Sequence, residues 1–212
     1  MEAKNVFISV GLPATQEQED FVSAVESRLQ SEGLIPNTVG RNKFSVDSPL
    51  KTINELMDNC CGVVIIALER TYFPEGVEKR GSVKESLLKE TKYPTPWNQI
   101  ESAMAYTKNL PLLVIVEEGL KSEGLLEKGY DWYVLSLKPV KESLLTPVFN
   151  GVLSSWKRKI ELYNVQESKN KIDHATLTIG ELIKNLKVSH LWSILAALIA
   201  LVVCAFSLGQ FF

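Results

Sequence analysis

Histidine is nearly absent from this chain: only His174 and His190 occur in 212 residues, and both come late. That scarcity excludes a Ser-His-Asp hydrolase, because no imidazole stands near the apolar runs that would build a core. Cysteine is equally sparse. Cys60 and Cys61 are adjacent at the start of an apolar run and Cys204 lies in the last segment. No zinc-ligand spacing arises, and a vicinal pair suits small core positions in a reducing compartment. An excess of one charge is missing too: 23 Lys and Arg stand against 25 Asp and Glu, a formal −2. With basic and acidic residues interspersed, no positive stripe exists to draw nucleic acid. There is no Walker-type glycine-rich loop, which argues against a nucleoside triphosphatase. The first residues hold no secretory signal, since the apolar run at 6–10 is only strand length.

Against these absences stands one long apolar run at the end. Residues 191–212 contain no charged side chain, and a membrane-spanning helix needs roughly 20 mainly apolar residues. A buried C-terminal helix would show a polar stripe, and Ser193, Ser207 and Gln210 are too few to draw one. Lys184 and Lys187 precede the run, which favours keeping the N-terminal side cytoplasmic. The expectation is a single-pass anchor over 189–212, with the lipid bilayer as a partner. A tether and juxtamembrane helix over 166–188 would join it to a domain at 1–165.

Within that domain, apolar runs alternate with amphipathic stretches. Strands are expected at 6–10, from 34, at 62–68, at 112–116 and at 132–135. Helices are expected at 16–31 behind an N-cap at Thr15, after Ser48-Pro49, over 96–108, and over 146–164. The run at 62–68 does not alternate, so both its faces are covered, as in a parallel sheet between helices. The fold class is therefore α/β: a flavodoxin-like, doubly wound parallel sheet. Residues 69–95, rich in Lys and Glu with Gly76 and Gly81, break the pattern. They read as a long loop or insertion with a short helix at 82–89.

In open α/β sheets, ligands lie beyond the carboxyl ends of the strands. That rule selects Ser9, Gly11 and Leu12, then Arg41 and Asn42, Glu69 and Arg70, Glu117 and Glu118, and the helix start at 96–101. Glu101 falls one turn after Trp97. A carboxylate there suits a sugar hydroxyl pair or an oxocarbenium-like cation, with the indole as a stacking surface. The plainer alternative has Trp97 plugging the core and Glu101 as a solvated acid favoured by the helix dipole. Arg41, Lys43 and Arg80 are candidates for phosphate contact or plain surface charges. Cys60 and Cys61 read as core residues rather than a redox pair.

The run Pro-Trp-Asn-Gln-Ile-Glu-Ser-Ala-Met-Ala-Tyr at 96–106, followed by Leu-Pro-Leu-Leu-Val-Ile-Val at 110–116, resembles the core of Toll/interleukin-1 receptor (TIR) domains. Those domains carry a Trp-x-x-x-Glu motif, then a helix and a Pro-led strand. Val-Phe-Ile-Ser at 6–9 is similar to their opening strand, and Cys-Gly-Val-Val-Ile-Ile at 61–66 to their third. The layout is also similar to that of nucleoside 2-deoxyribosyltransferases. The resemblance covers roughly residues 4–135 and implies that Glu101 is catalytic in cleaving the nicotinamide–ribose bond of NAD, or in making a signalling nucleotide from it. It implies Trp97 lining the pocket, and Ser9 and Gly11 contacting phosphate or ribose. NAD enters as a substrate, with no bound cofactor and no metal. Self-association into a homo-oligomer is implied as well. The loops at 10–13 and 40–49 depart from the usual TIR patterns. They leave open a second reading, a ligand-sensing or interaction module whose clustering acts through the tail. A base-exchanging nucleoside transferase held at a membrane is a third.

Overall fold

The computed structural model describes residues 4–129 and 132–170, and beyond them only Trp192, Ser193, Ala196 and Ile199, each helical. In chain order the elements are β1 (Lys4–Val10), α1 (Gln16–Ser31), β2 (Leu34–Asn37), α2 (Pro49–Asp58), β3 (Val63–Ala67), β4 (Thr71–Glu78) and β5 (Ser86–Tyr93). They continue with α3 (Pro96–Thr107), β6 (Leu112–Glu117), β7 (Val134–Leu137) and α4 (Pro147–Asn170), with short 3-10 turns at Gly124–Leu126 and Lys141–Leu145. Five strands pair in the order β2-β1-β3-β6-β7, all parallel. This order is compatible with the flavodoxin-like, doubly wound arrangement.

The strands bury both faces, and their side chains sort by parity. Val6 and Ile8 of β1 and Val64 and Ile66 of β3 meet Phe21, Val22, Val25 and Leu29 of α1 and Phe149, Leu153, Trp156 and Ile160 of α4. Phe7, Val63, Ile65 and Ala67 point the other way, onto Ile53 and Met57 of α2 and Ala105 of α3. Two cores thus share one sheet, and each fully buried Val or Ile contributes about 2 kcal/mol relative to exposure. Contact with α4 is close at Gly62, where an added Cβ would sit 2.9 Å from Ile160 Cδ1 and 3.0 Å from Trp156. Helix α1 starts where Thr15 accepts the Gln18 N–H at 3.2 Å and is followed by Gly33 at φ 78°. A left-handed backbone of that kind suits glycine.

Three expectations need correction. Residues 69–95 are not a loop with a helix: β4 and β5 form an antiparallel hairpin, Glu75 opposite Lys89 and Val77 opposite Leu87. Charged and exposed residues alternate irregularly along both strands, so the hairpin carries no clean two-residue apolar rhythm. Its base is fastened by the Arg70 N–H to the Tyr93 carbonyl at 2.9 Å and by Lys92–Glu69 at 2.6 Å. Lys121 bonds Glu78 and Glu123, both at 2.8 Å, and stands 5.6 Å from the Tyr93 ring centroid. The last strand begins at Val134 rather than Trp132, whose indole instead donates to the Leu125 carbonyl at 3.0 Å. Helix α4 runs on to Asn170, so the polar stretch from 166 begins as helix, although the compact unit closes at Gln166.

Among the described residues no helix is long and apolar enough to cross a membrane. The anchor expected at 189–212 lies outside them apart from the four helical positions named above, as do the juxtamembrane helix, His174, His190 and Cys204.

Candidate active site

From β1 the chain crosses to β2 on one side of the sheet, and from β3 it proceeds to β6 on the other. Between the carboxyl ends of β1 and β3 the winding reverses, the position where doubly wound sheets take ligands. The first turn of α3 is seated over this gap. Pro96 at the first helical position has its φ preset for the turn, and Thr95 caps the Trp97 N–H at 3.4 Å. Gly11 permits the approach, since a Cβ there would lie 3.0 Å from Thr95 Cγ2.

Asn98, fully buried, joins the three elements. Its Nδ2 shares its two hydrogens among three acceptors within reach, Ser9 Oγ at 3.0 Å, the Ser9 carbonyl at 3.2 Å and the Ile66 carbonyl at 3.4 Å. The buried face of α3 is Asn98, Glu101, Ser102 and Ala105, a helical stripe that is polar for its first turn. Ser102 Oγ donates to the Asn98 carbonyl at 2.5 Å. Asn98 Oδ1 is buried with no hydrogen-bond partner among the described residues.

Glu101 is only 7% exposed. Burial pushes its carboxyl up from 4.5 to about 7, and a side-chain hydrogen bond with Ser9 offsets part of that rise. Near neutral pH it therefore exists in both forms: a neutral acid that can donate, and a desolvated anion that strongly stabilises a nearby cation. The alternative of a solvated first-turn acid is overturned by this burial. Trp97 does not plug the core either, being 40% exposed at the helix start.

Of the residues expected at the site, the fold brings Ser9 and Glu101 together and places Gly11 against the cap of α3. It takes Arg41 elsewhere. The Arg41 guanidinium donates to both Glu19 oxygens at 2.7 and 2.8 Å and to both Glu26 oxygens at 3.2 Å. These partners raise its pKa, Glu19 foremost, and the side chain joins the loop after β2 to α1 rather than standing open to a phosphate. Lys43 is exposed, and Arg80 is exposed in the turn between β4 and β5. Glu69, Arg70 and Glu117 tie the rim together: Glu69 N–H to Glu117 at 2.7 Å, Gln18 to the Glu69 carbonyl at 3.0 Å, Arg70 to the Leu12 carbonyl at 3.3 Å. Cys60 and Cys61 are free and buried, and burial pushes the Cys60 thiol up to about 12, which makes it inert.

Sequence reasoning included Asn98 only as part of the helix start at 96–101, with no role of its own, and passed over Ser102. The signal was present: read at helical spacing, 98, 101, 102 and 105 form one face, and three polar residues on a face otherwise continued by Ala105 mark a buried polar cluster. Among the described residues no group of three or more His, Cys, Asp or Glu is placed to hold a metal ion. A cavity of about 360 Å³ lies near the amino end of β6, lined in part by Tyr106, Pro111, Trp132 and Lys159, and includes none of the residues above. No protein-family model matches this chain, and no curated protein matches it.

Proposed function

We propose that this chain is a TIR-like nucleotide glycosidase that cleaves the nicotinamide–ribose bond of NAD. The observation that carries the reading is Glu101, a buried carboxyl on the face of α3 that covers the winding reversal of the sheet, its pKa raised by burial to about 7. In the reaction, the ribose C1′–nitrogen bond breaks and its electron pair goes to nicotinamide, which becomes neutral. The positive charge passes to the ribose as an oxocarbenium ion. Glu101 in its anionic form stabilises that cation in a water-poor setting, where such stabilisation is strongest. Water then adds at C1′ and releases a proton. A cationic nicotinamide ring arriving beside Glu101 favours the anion before the bond breaks. Trp97, exposed on the turn before, supplies a stacking face.

In this reading the segment 189–212 holds the domain to a bilayer with the domain cytoplasmic, and confinement in two dimensions promotes homo-oligomer formation. A second reading, a nucleotide-sensing module whose clustering acts through the tail, draws support from the closure of the site. Ser9 and Asn98 are wholly buried, so a ligand must open the site to touch them.

The test is incubation of detergent-solubilised wild type and Glu101→Ala with NAD, reading nicotinamide by chromatography. Wild type is expected to release nicotinamide, and the variant to lose at least about 100-fold in rate while remaining folded. Release that survives the substitution overturns the assignment of Glu101. Absence of release from both, with NAD or a nucleotide product still bound, favours the sensor. Because the anion is the working form, kcat/KM is expected to rise with pH through about 7 and then level off. A flat profile from pH 5 to 9 counts against it.

A further inference from the structure

The cavity of about 360 Å³ opens beside Leu112 at the amino end of β6, whereas Ser9 stands near the carboxyl end of β1. Because the strands are parallel, the two places lie at opposite ends of the sheet. Pockets that take small organic ligands span about 300–1,000 Å³, so this one is large enough for a fused pair of rings. Its walls come from the last turn of α3, the loop after it and the outer turns of α4. Tyr106 and Trp132 cross there at 65° with ring centroids 5.4 Å apart. Trp132 is held in place by its indole N–H on the Leu125 carbonyl at 3.0 Å. Two crossed rings make a corner in which a third flat ring meets one by its face and the other by its edge. Tyr106 and Leu162 are both exposed, so the corner is open to solvent.

Charge decides what such a corner takes. The lining contains Lys159 and no acidic residue. Lys159 forms no ion pair among the described residues, and its neighbours three and four positions away on α4 are Ser155, Trp156, Leu162 and Tyr163, none of them acidic. The other nearby cations are committed: Lys108 pairs with Asp58, Lys157 with Glu32, and Lys4 with Glu161. Aromatic walls alone would suit an organic cation, but an unbalanced ammonium with no carboxylate beside it repels one. We propose that this cleft is a binding site for a planar aromatic anion, its ring in the corner of Tyr106 and Trp132 and its carboxylate, sulfonate or phosphate facing Lys159. Asn109, at φ 56° just beyond α3, adds a side-chain amide to the lining, and an amide nitrogen can donate to the same anion. The site shares no residue with the Glu101 cluster and stands whether or not the chain cleaves NAD.

The experiment titrates the full chain with 2-naphthoate, and with 2-naphthamide as a neutral molecule of the same shape. Nitrogen labelling at tryptophan makes the indole N–H groups visible by NMR, the Trp132 resonance being the one missing from Trp132→Phe. 2-Naphthoate is expected to move the Trp132 resonance saturably and to leave that of Trp97 in place. Lys159→Gln is expected to weaken 2-naphthoate about fivefold, the worth of one exposed ion pair, and to leave 2-naphthamide unchanged. Leu162→Phe adds bulk to the cleft from an exposed helix position and is expected to weaken both. Absence of a saturable Trp132 shift overturns the proposal. So does 2-naphthoate binding that is indifferent to Lys159→Gln, since the cleft would then be an unselective apolar surface, and so does binding of both molecules that ignores Leu162→Phe, which would place them elsewhere. A Trp132 resonance that moves with protein concentration alone overturns it as well, because a second copy would then cover the cleft.

Discussion

Glu101 holds, in the folded chain, a proton that the unfolded chain gives up. Between 4.5 and about 7 the native carboxyl remains protonated while an exposed glutamate ionises. The folded state then binds more protons than the unfolded one, so stability falls as pH rises through this window. A shift of this size corresponds to about 3 kcal/mol, fully lost above the folded value. Glu101→Gln is expected to be close to wild type in stability near pH 4 and more stable by up to that amount at pH 8. Denaturant titrations at the two pH values measure the difference, and equal gains at both would count against a buried, uncompensated carboxyl. Arg41 has the opposite dependence. Its hydrogen bond holds the Glu19 carboxyl below the usual range, so their attraction is present above 4.5 and lost as pH falls through the lower folded value. Arg41→Met is expected to destabilise by about 1 kcal/mol at neutral pH, with the loss fading in acid. The same denaturant series follows it.

The helices and strands differ in how plainly the chain announces them. β3 and β6 are unbroken runs of branched apolar residues, a composition that fits only a strand covered on both sides, and α1 has a capping Thr15 before a regular apolar face. Those were legible. The hairpin of β4 and β5 was not, because its stability lies in backbone pairing and in a fastened base rather than in a buried face, and its apolar residues are interrupted by Pro74, Gly76 and scattered Glu and Lys. Asn98 was legible by half: helical spacing puts it on the polar face of α3, but its partners include backbone carbonyls of two strands distant in sequence, and no spacing rule encodes those. The junction of Gly11 with the α3 cap is testable. Gly11→Ala places a carbon 3.0 Å from Thr95 Cγ2 and is expected to lower stability by about 1 kcal/mol through this overpacking. Thermal unfolding checks it, and an unchanged Tm would show that the loop yields freely.

For the molecule entire, the compact unit ends at Gln166 and carries every residue assigned to the site. A chain stopped before residue 189 is expected to remain in the supernatant after membranes are sedimented, with the full chain in the pellet. Finding the shortened chain in the pellet would mean that some other part of the protein holds it to lipid.

Of the four tryptophans, Trp97 and Trp156 sit in opposite surroundings. Trp97 stands partly in solvent at the start of α3, so its emission is expected toward the red and within reach of acrylamide. Trp156 is sealed between α4 and the sheet, its indole N–H on the Pro111 carbonyl at 2.9 Å, and its emission is expected toward the blue, out of reach of the quencher. With Trp132 and Trp192 replaced by Phe, excitation is expected to read two processes in one spectrum: a nucleotide settling over α3 protects the red component, and melting of the core moves the blue.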